Sequence, residues 1–306
     1  MLFCLFIIFN IIYSISCTIT CFNCPIDTNN FDYFITVNNV PDQLNNCTTI
    51  DNVDACFMDV IWSRNPDKTK IELHARGDGR SVSVDHSLVT NVEMENQNST
   101  LIWNRGISYI CSTNQCNSLF NLKRILESVT LSDSFNEIEY LLKSDEPFDG
   151  NWCKFSTNYT SSDCNIDIPP AACQECFFQG LSDHSPVQLC SNCLPFDTDE
   201  SFITHEVNFN MTDRTRSEHW MLECRFKDCN TYDNGNMVRQ KSIADFDFAK
   251  FLDDNNSTTL SSTSEVTTLS STNEPTILTS TNKSSILSSI DKIMLLFLIV
   301  ITKLLN

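Results

Sequence analysis

Neither G-x-S-x-G nor H-E-x-x-H occurs in this chain, and its five histidines, His74, His86, His184, His205 and His219, are scattered. The common signatures of nucleophilic and zinc-dependent hydrolysis are therefore missing. His205-Glu206 opens like a zincin helix but lacks the second histidine, and the carboxylates are too numerous for any one pair to mark acid–base work. No enzyme activity, cofactor or metal is expected. Positive charge is scarce as well. Twenty Lys and Arg face 39 Asp and Glu, a net charge of −19, which argues against nucleic acid or an anionic lipid surface as partner, because both would be repelled. Long apolar runs are also absent: no stretch reaches the roughly 20 residues that a membrane-spanning helix needs.

Two shorter apolar runs mark the ends. Residues 1–16, MLFCLFIIFNIIYSIS, close with the small residues Ser14 and Ser16 and read as a secretory signal peptide, although no cationic residue precedes the apolar run. At the other end IMLLFLIVI, residues 293–301, is too short to span a bilayer. A polar spacer and the small-residue site Asn282, Ser284 and Ser285 precede it, the layout of a glycosylphosphatidylinositol (GPI) attachment signal spanning 290–306. The alternative is a short single-pass tail in which Lys303 snorkels. Residues 255–289, rich in Ser and Thr, predict a disordered, O-glycosylated stalk.

Cysteine is plentiful: sixteen in all, of which Cys4 leaves with the signal and Cys17 lies at its cleavage point. The fourteen that remain imply a disulfide framework in an oxidising compartment. N-x-Ser/Thr sequons at Asn46, Asn98, Asn158, Asn210, Asn255, Asn256 and Asn282 point to the same compartment. Cys173-x2-Cys176 and Cys190-x2-Cys193 have a spacing near that of a zinc ribbon, but behind a signal peptide such thiols are expected to oxidise to bridges.

Two groups of Cys each end in C-x4-C-N, at Cys111 to Asn117 and at Cys224 to Asn230, as a repeated small unit would. The expected layout is a first unit over 17–118, an amphipathic helical linker over 119–149, a second unit over 150–235 and a further linker over 236–254. Within the first linker Leu119, Leu122, Ile125, Leu126 and Val129 fall at helical spacing, with Lys123, Arg124 and Glu127 facing away. Within the first unit, short alternating runs at 69–73, 82–86, 88–92 and 101–103, separated by Asn, Gly and Asp turns, predict antiparallel strands. Arg76-Gly77-Asp78 is placed between two such runs, where a hairpin tip would present it to an integrin-type receptor. Trp62, Trp103, Trp152 and Trp220 are candidate binding anchors, with packing against the disulfides as the alternative and Trp152 and Trp220 reading as core.

The opening ITCFNC, with Cys21 and Cys24, and the closing ICSTNQCN, with Asn117 after the last Cys, resemble the uPAR/lymphocyte-antigen three-finger family. The first unit has six Cys rather than the family's usual eight or ten, and the second unit matches only through Cys224, Cys229 and Asn230. The resemblance implies a Cys111–Cys116 bridge, Asn117 as a lock on the palm of the fold, a Cys21–Cys47 bridge and, for the remaining pair, Cys24–Cys56. The expected fold is mainly β: small, disulfide-rich, antiparallel three-finger-like units in tandem. The expected function is that of a non-enzymatic, lipid-anchored surface glycoprotein that binds an extracellular or membrane protein through loop tips near 67–80 and 96–104. A structural or adhesive coat protein is the alternative.

Overall fold

A computed structural model describes residues 19–77, 86–97, 100–144, 147–160, 164–183, 185–195 and 201–253. The fold is mainly β, antiparallel and disulfide-rich. In the N-terminal half, β1 (Ile19–Asn23) is followed by the short β2 (Asn30–Phe31) and by β3 (Thr48–Val53), which pairs back onto β1. Two hairpins come next, β4 (Ala55–Ser63) with β5 (Lys68–Arg76), and β6 (His86–Gln97) with β7 (Thr100–Cys111). Helix α1 (Leu119–Ser128) and strand β8 (Val129–Asp133) complete this half. The C-terminal half repeats the order. Its hairpins are β10 (Glu175–Leu181) with β11 (Gln188–Leu194), and β12 (Ser201–Asn210) with β13 (Thr215–Cys224), preceded by β9 (Ser156–Thr157). Helix α2 (Tyr232–Gln240), strand β14 (Ser242–Phe246) and helix α3 (Phe248–Asp253) follow.

The two halves share one ten-stranded sheet, in the order β2-β5-β4-β7-β6-β12-β13-β10-β11-β9, so the expected tandem units are fused edge to edge rather than linked. The joining strands β6 and β12 run antiparallel, with Asn91 opposite Glu206, and β8 pairs with β14, with Leu131 opposite Ala244. Cys111, Asn117, Leu126 and Leu131 have counterparts 113 residues on, at Cys224, Asn230, Arg239 and Ala244, and on β6 and β12 the offset is 115, since Asn91 lies opposite Gly106 as Glu206 lies opposite His219. Each opposed pair is thus also an equivalent pair, and a local twofold axis passes through both. Joining β6 to β12 gives both strands a partner, where each would otherwise leave a row of backbone donors and acceptors open.

Alternation along the strands sets the two faces of the sheet. Met58, Val60 and Trp62 on β4, and Ile203, His205, Val207 and Phe209 on β12, point into the core, while Phe57, Asp59, Ile61, Glu206 and Asn208 point out. Helices α1 and α2 and the β8–β14 ribbon cover the inner face, with Leu122, Ile125 and Val238 fully buried. Close packing needs glycine at several places, two of them in the core. A Cβ on Gly180 would lie 2.2 Å from the Trp220 ring, and one on Gly235, inside α2, would lie 2.2 Å from Phe178.

Two linker expectations are corrected. The helix begins at Leu119, capped by the Ser118 side chain accepting from Asn121 N–H, but ends at Ser128. Residues 129–133 then form β8, because β14 offers a full ladder there. Residues 236–254, expected as a linker, supply the end of α2, β14 and α3, with Phe246 and Phe251 buried. Arg124, expected to face away, is buried beneath α3: its guanidinium donates to Phe251 O and lies 4.7 Å from the Phe251 ring.

Candidate functional site

Seven disulfides tie down the strand ends. Cys111–Cys116 closes a small loop, as the resemblance implied, and Cys224–Cys229 closes its equivalent. The expected Cys21–Cys47 and Cys24–Cys56 bridges are exchanged: Cys21 pairs with Cys56 and Cys24 with Cys47. The reason is positional. Cys21 is fully buried facing the core strand β4, which carries Cys56, whereas Cys24 lies beyond the end of β1 and meets Cys47 just before β3. In the C-terminal half the bridges are Cys153–Cys176, Cys164–Cys190 and Cys173–Cys193, so all four Cys of the zinc-ribbon spacing are cross-linked.

Beside each small loop a fully buried asparagine locks the palm. The Asn117 carboxamide accepts from Phe22 N–H at 3.0 Å and donates to Phe22 O and Phe57 O at 2.8 and 3.1 Å. Asn230 accepts from Lys154 N–H at 2.8 Å and donates to Lys154 O, Phe177 O and Asn192 O at 3.0, 3.0 and 2.8 Å. Each side chain therefore staples two or three strands that are distant in sequence.

A cavity of about 400 Å³ opens in the N-terminal half. Trp62 and Arg64 at the end of β4 and Trp103 and Arg105 on β7 form one wall, and Leu126 of α1 with Val129 and Leu131 of β8 form another. The loop Phe34–Val37 closes the third side, held down by Ile35 N–H donating to Thr69 Oγ1 at 2.9 Å and by Trp62 Nε1 donating to Ile35 O at 2.9 Å. At the polar end sits Asp133, whose side chain is 1% exposed. It accepts from Trp103 Nε1 at 3.2 Å, from Arg105 and, at 3.5 Å, from Arg64. The Arg64 guanidinium also stacks on Trp103, 3.7 Å from the ring centre. Burial draws Arg105 below its usual range while Asp133 pulls the other way. Trp62 and Trp103, candidate surface anchors in the sequence, are instead 6% and 8% exposed and wall this cavity.

The equivalent place in the C-terminal half is closed by charge. Trp103, Arg105, Leu126 and Val129 have as counterparts Arg216, Glu218, Arg239 and Ser242. Glu218 accepts from Arg239 Nε and Nη2 at 2.7 and 2.9 Å and from Arg216, and lies 3.2 Å from His205 Nε2. Burial opposes ionisation of Glu218, but the hydrogen bonds of His205 and Arg239 and the two arginine charges outweigh it, holding the carboxyl well below the usual range. A wider hollow of about 620 Å³ over Phe148–Asn151 and Pro169–Gln174 holds Asp149 as its one titratable side chain. Nearby, burial and the neighbouring Glu175 push the Glu223 carboxyl up to about 8.

The remaining sequence candidates are dispersed. Arg76 ends β5 opposite Ala55, and β5 and β6 are not neighbours in the sheet, so Arg76 and Gly77 lie at the disulfide end of the sheet rather than at a hairpin tip. Asp78 lies outside the described residues, as do Asn98, Asn255, Asn256, Asn282, Ser284, Ser285, the signal segment, the stalk and the apolar tail. Asn46 and Asn158 are exposed and Asn210 is half-buried, the last capping a turn by accepting from Thr212 N–H. Among the described residues no helix is long and apolar enough to cross a membrane. No family model, no curated protein and no solved structure matches the chain.

Proposed function

We propose that the protein is a non-enzymatic glycoprotein of the three-finger kind, tethered to the outer cell surface by a GPI anchor, that binds another extracellular or membrane protein. The observation that carries this reading is the outer face of the ten-stranded sheet, which among the described residues has no element packed over it. Across the junction of the halves it presents Glu93 and Glu206 near the half-buried Met221, and on β4 it presents Phe57, Asp59 and Ile61 opposite His74, Glu72 and Lys70 of β5. Apolar contact area among charges of both signs, with Glu93 and Glu206 at the junction, suits a protein partner of complementary charge, and the disulfide-tied strands hold the face rigid, so little ordering entropy is lost on binding. The seven sequons and the Ser/Thr-rich segment agree with exposure outside the cell.

The test uses the tagged full chain on cultured cells, released with phosphatidylinositol-specific phospholipase C, weighed intact and applied to fresh cells. The reading expects release with the chain ending near Asn282 to Ser285. It also expects saturable binding that protease treatment of the recipient cells abolishes and that joint Glu93→Lys and Glu206→Lys substitution weakens at least tenfold. Retention of the chain after phospholipase would overturn the lipid anchor. Binding that survives protease treatment would overturn a protein partner.

A further inference from the structure

We propose that the cavity of the N-terminal half is a binding site for a small amphipathic monoanion, a fatty-acid carboxylate of about ten carbons, independent of the partner face on the other side of the sheet. Three observations carry it. The first is the pairing of lining and charge. Trp62, Leu126, Val129 and Leu131 offer an apolar body, while Arg64, Arg105 and Asp133 together leave one net positive charge at the polar end. Asp133 is already engaged by Trp103 and both arginines, and Arg64 has its side chain 39% exposed, so its remaining donors reach the opening. A carboxylate there would accept from Arg64 by charge-assisted hydrogen bonds, leaving its tail against the indoles.

The second is size. At about 30 Å³ per water-sized group, roughly 400 Å³ accommodates about a dozen non-hydrogen atoms, the count of a ten-carbon carboxylate. The third is the internal control that the duplication supplies. The same position 113 residues on is filled by Arg216, Glu218 and Arg239, both arginines donating to the Glu218 carboxylate. The architecture therefore does not require a cavity at this place; the residues of the N-terminal half make one.

The test is calorimetric titration of the intact glycoprotein with sodium decanoate, using decanol as the uncharged ligand of equal length. The expected result is one saturable decanoate site, decanol at least tenfold weaker, and at least tenfold loss of decanoate affinity in Arg64→Gln with decanol affinity unchanged. Arg105 stays in place in that variant, so Asp133 keeps a cation and the fold is preserved, which thermal melting verifies. A second variant, Val37→Trp, fills the space and should abolish both ligands. No saturable decanoate binding, equal affinity for decanoate and decanol, or undiminished decanoate affinity in a folded Arg64→Gln protein would each overturn the proposal.

Discussion

Replacing Asn230 by aspartate changes one nitrogen for an oxygen and tests the palm lock at constant shape. In the native chain the carboxamide oxygen accepts from Lys154 N–H while the nitrogen serves three carbonyls, of Lys154, Phe177 and Asn192, all in a fully buried site. An aspartate keeps the acceptor but turns its second oxygen toward those carbonyls. Two donated hydrogens disappear, and at about 1–3 kcal/mol per buried group left unpaired the cost at neutral pH is about 4 kcal/mol before any charge effect. In a folded body of this size, about 2–4 °C per kcal/mol places the melting temperature roughly 8–16 °C below that of the parent. Protonation restores one donor, so the folded state raises the pKa of the new carboxyl above its unfolded value. The lost stability should therefore return below about pH 4 and vanish again as pH rises through the raised value. Melting curves of parent and variant at pH 4 and pH 7 read this as a difference of differences, which cancels the pH response of the other groups. A variant that melts with the parent at pH 7, or one whose deficit is the same at both pH values, would refute the lock.

Further expectations come from the charged interior and the bridges. Glu223 has its folded pKa pushed up to about 8, so stability should decline as pH rises from about 5 toward 8, and Glu223→Gln should flatten that slope in denaturant titrations. Glu218 is shifted the other way, so its contribution is present above the usual carboxylate range and is lost on acidification. Arg239→Leu should cost about 2 kcal/mol at pH 7, with a deficit that narrows toward pH 3 in thermal melts. Peptide mapping without reduction should recover Cys21 joined to Cys56 and Cys24 to Cys47. Replacing Cys24 and Cys47 together by serine should lower stability by about 3.5 kcal/mol on loop entropy alone, measured by denaturant unfolding.

The strand runs at 69–73, 88–92 and 101–103 and the presence of a disulfide framework were legible because they rest on local signals, alternation, turn residues and Cys count, and the Cys111–Cys116 loop was legible through the family resemblance; of the run at 82–86, residues 82–85 lie outside the described residues. What escaped was decided by partners far off in the chain. Val129 continues the helical spacing of α1, yet it lies in a strand because Phe246 of β14 pairs with it. Arg124 looked like a solvent-facing cation and is buried because α3 lies over it. The choice between Cys47 and Cys56 as partner of Cys21 depends on which strand faces the core, which spacing does not encode. The cavity was half visible. Trp62 and Trp103 stood out, but Arg64, Arg105 and Asp133 carry no motif, and only the 113-residue offset between the halves exposes the divergence of Arg105 and Asp133 from Glu218 and Phe246.

The local twofold also has an evolutionary reading. A single unit with the β6 edge open could have assembled as a symmetric dimer, in which every substitution appears twice and any cavity comes in pairs. Once both copies sit on one polypeptide that obligation ends. One copy can then surrender its hollow to a knot of ions that hardens the assembly, while its sibling keeps an opening and is free to specialise.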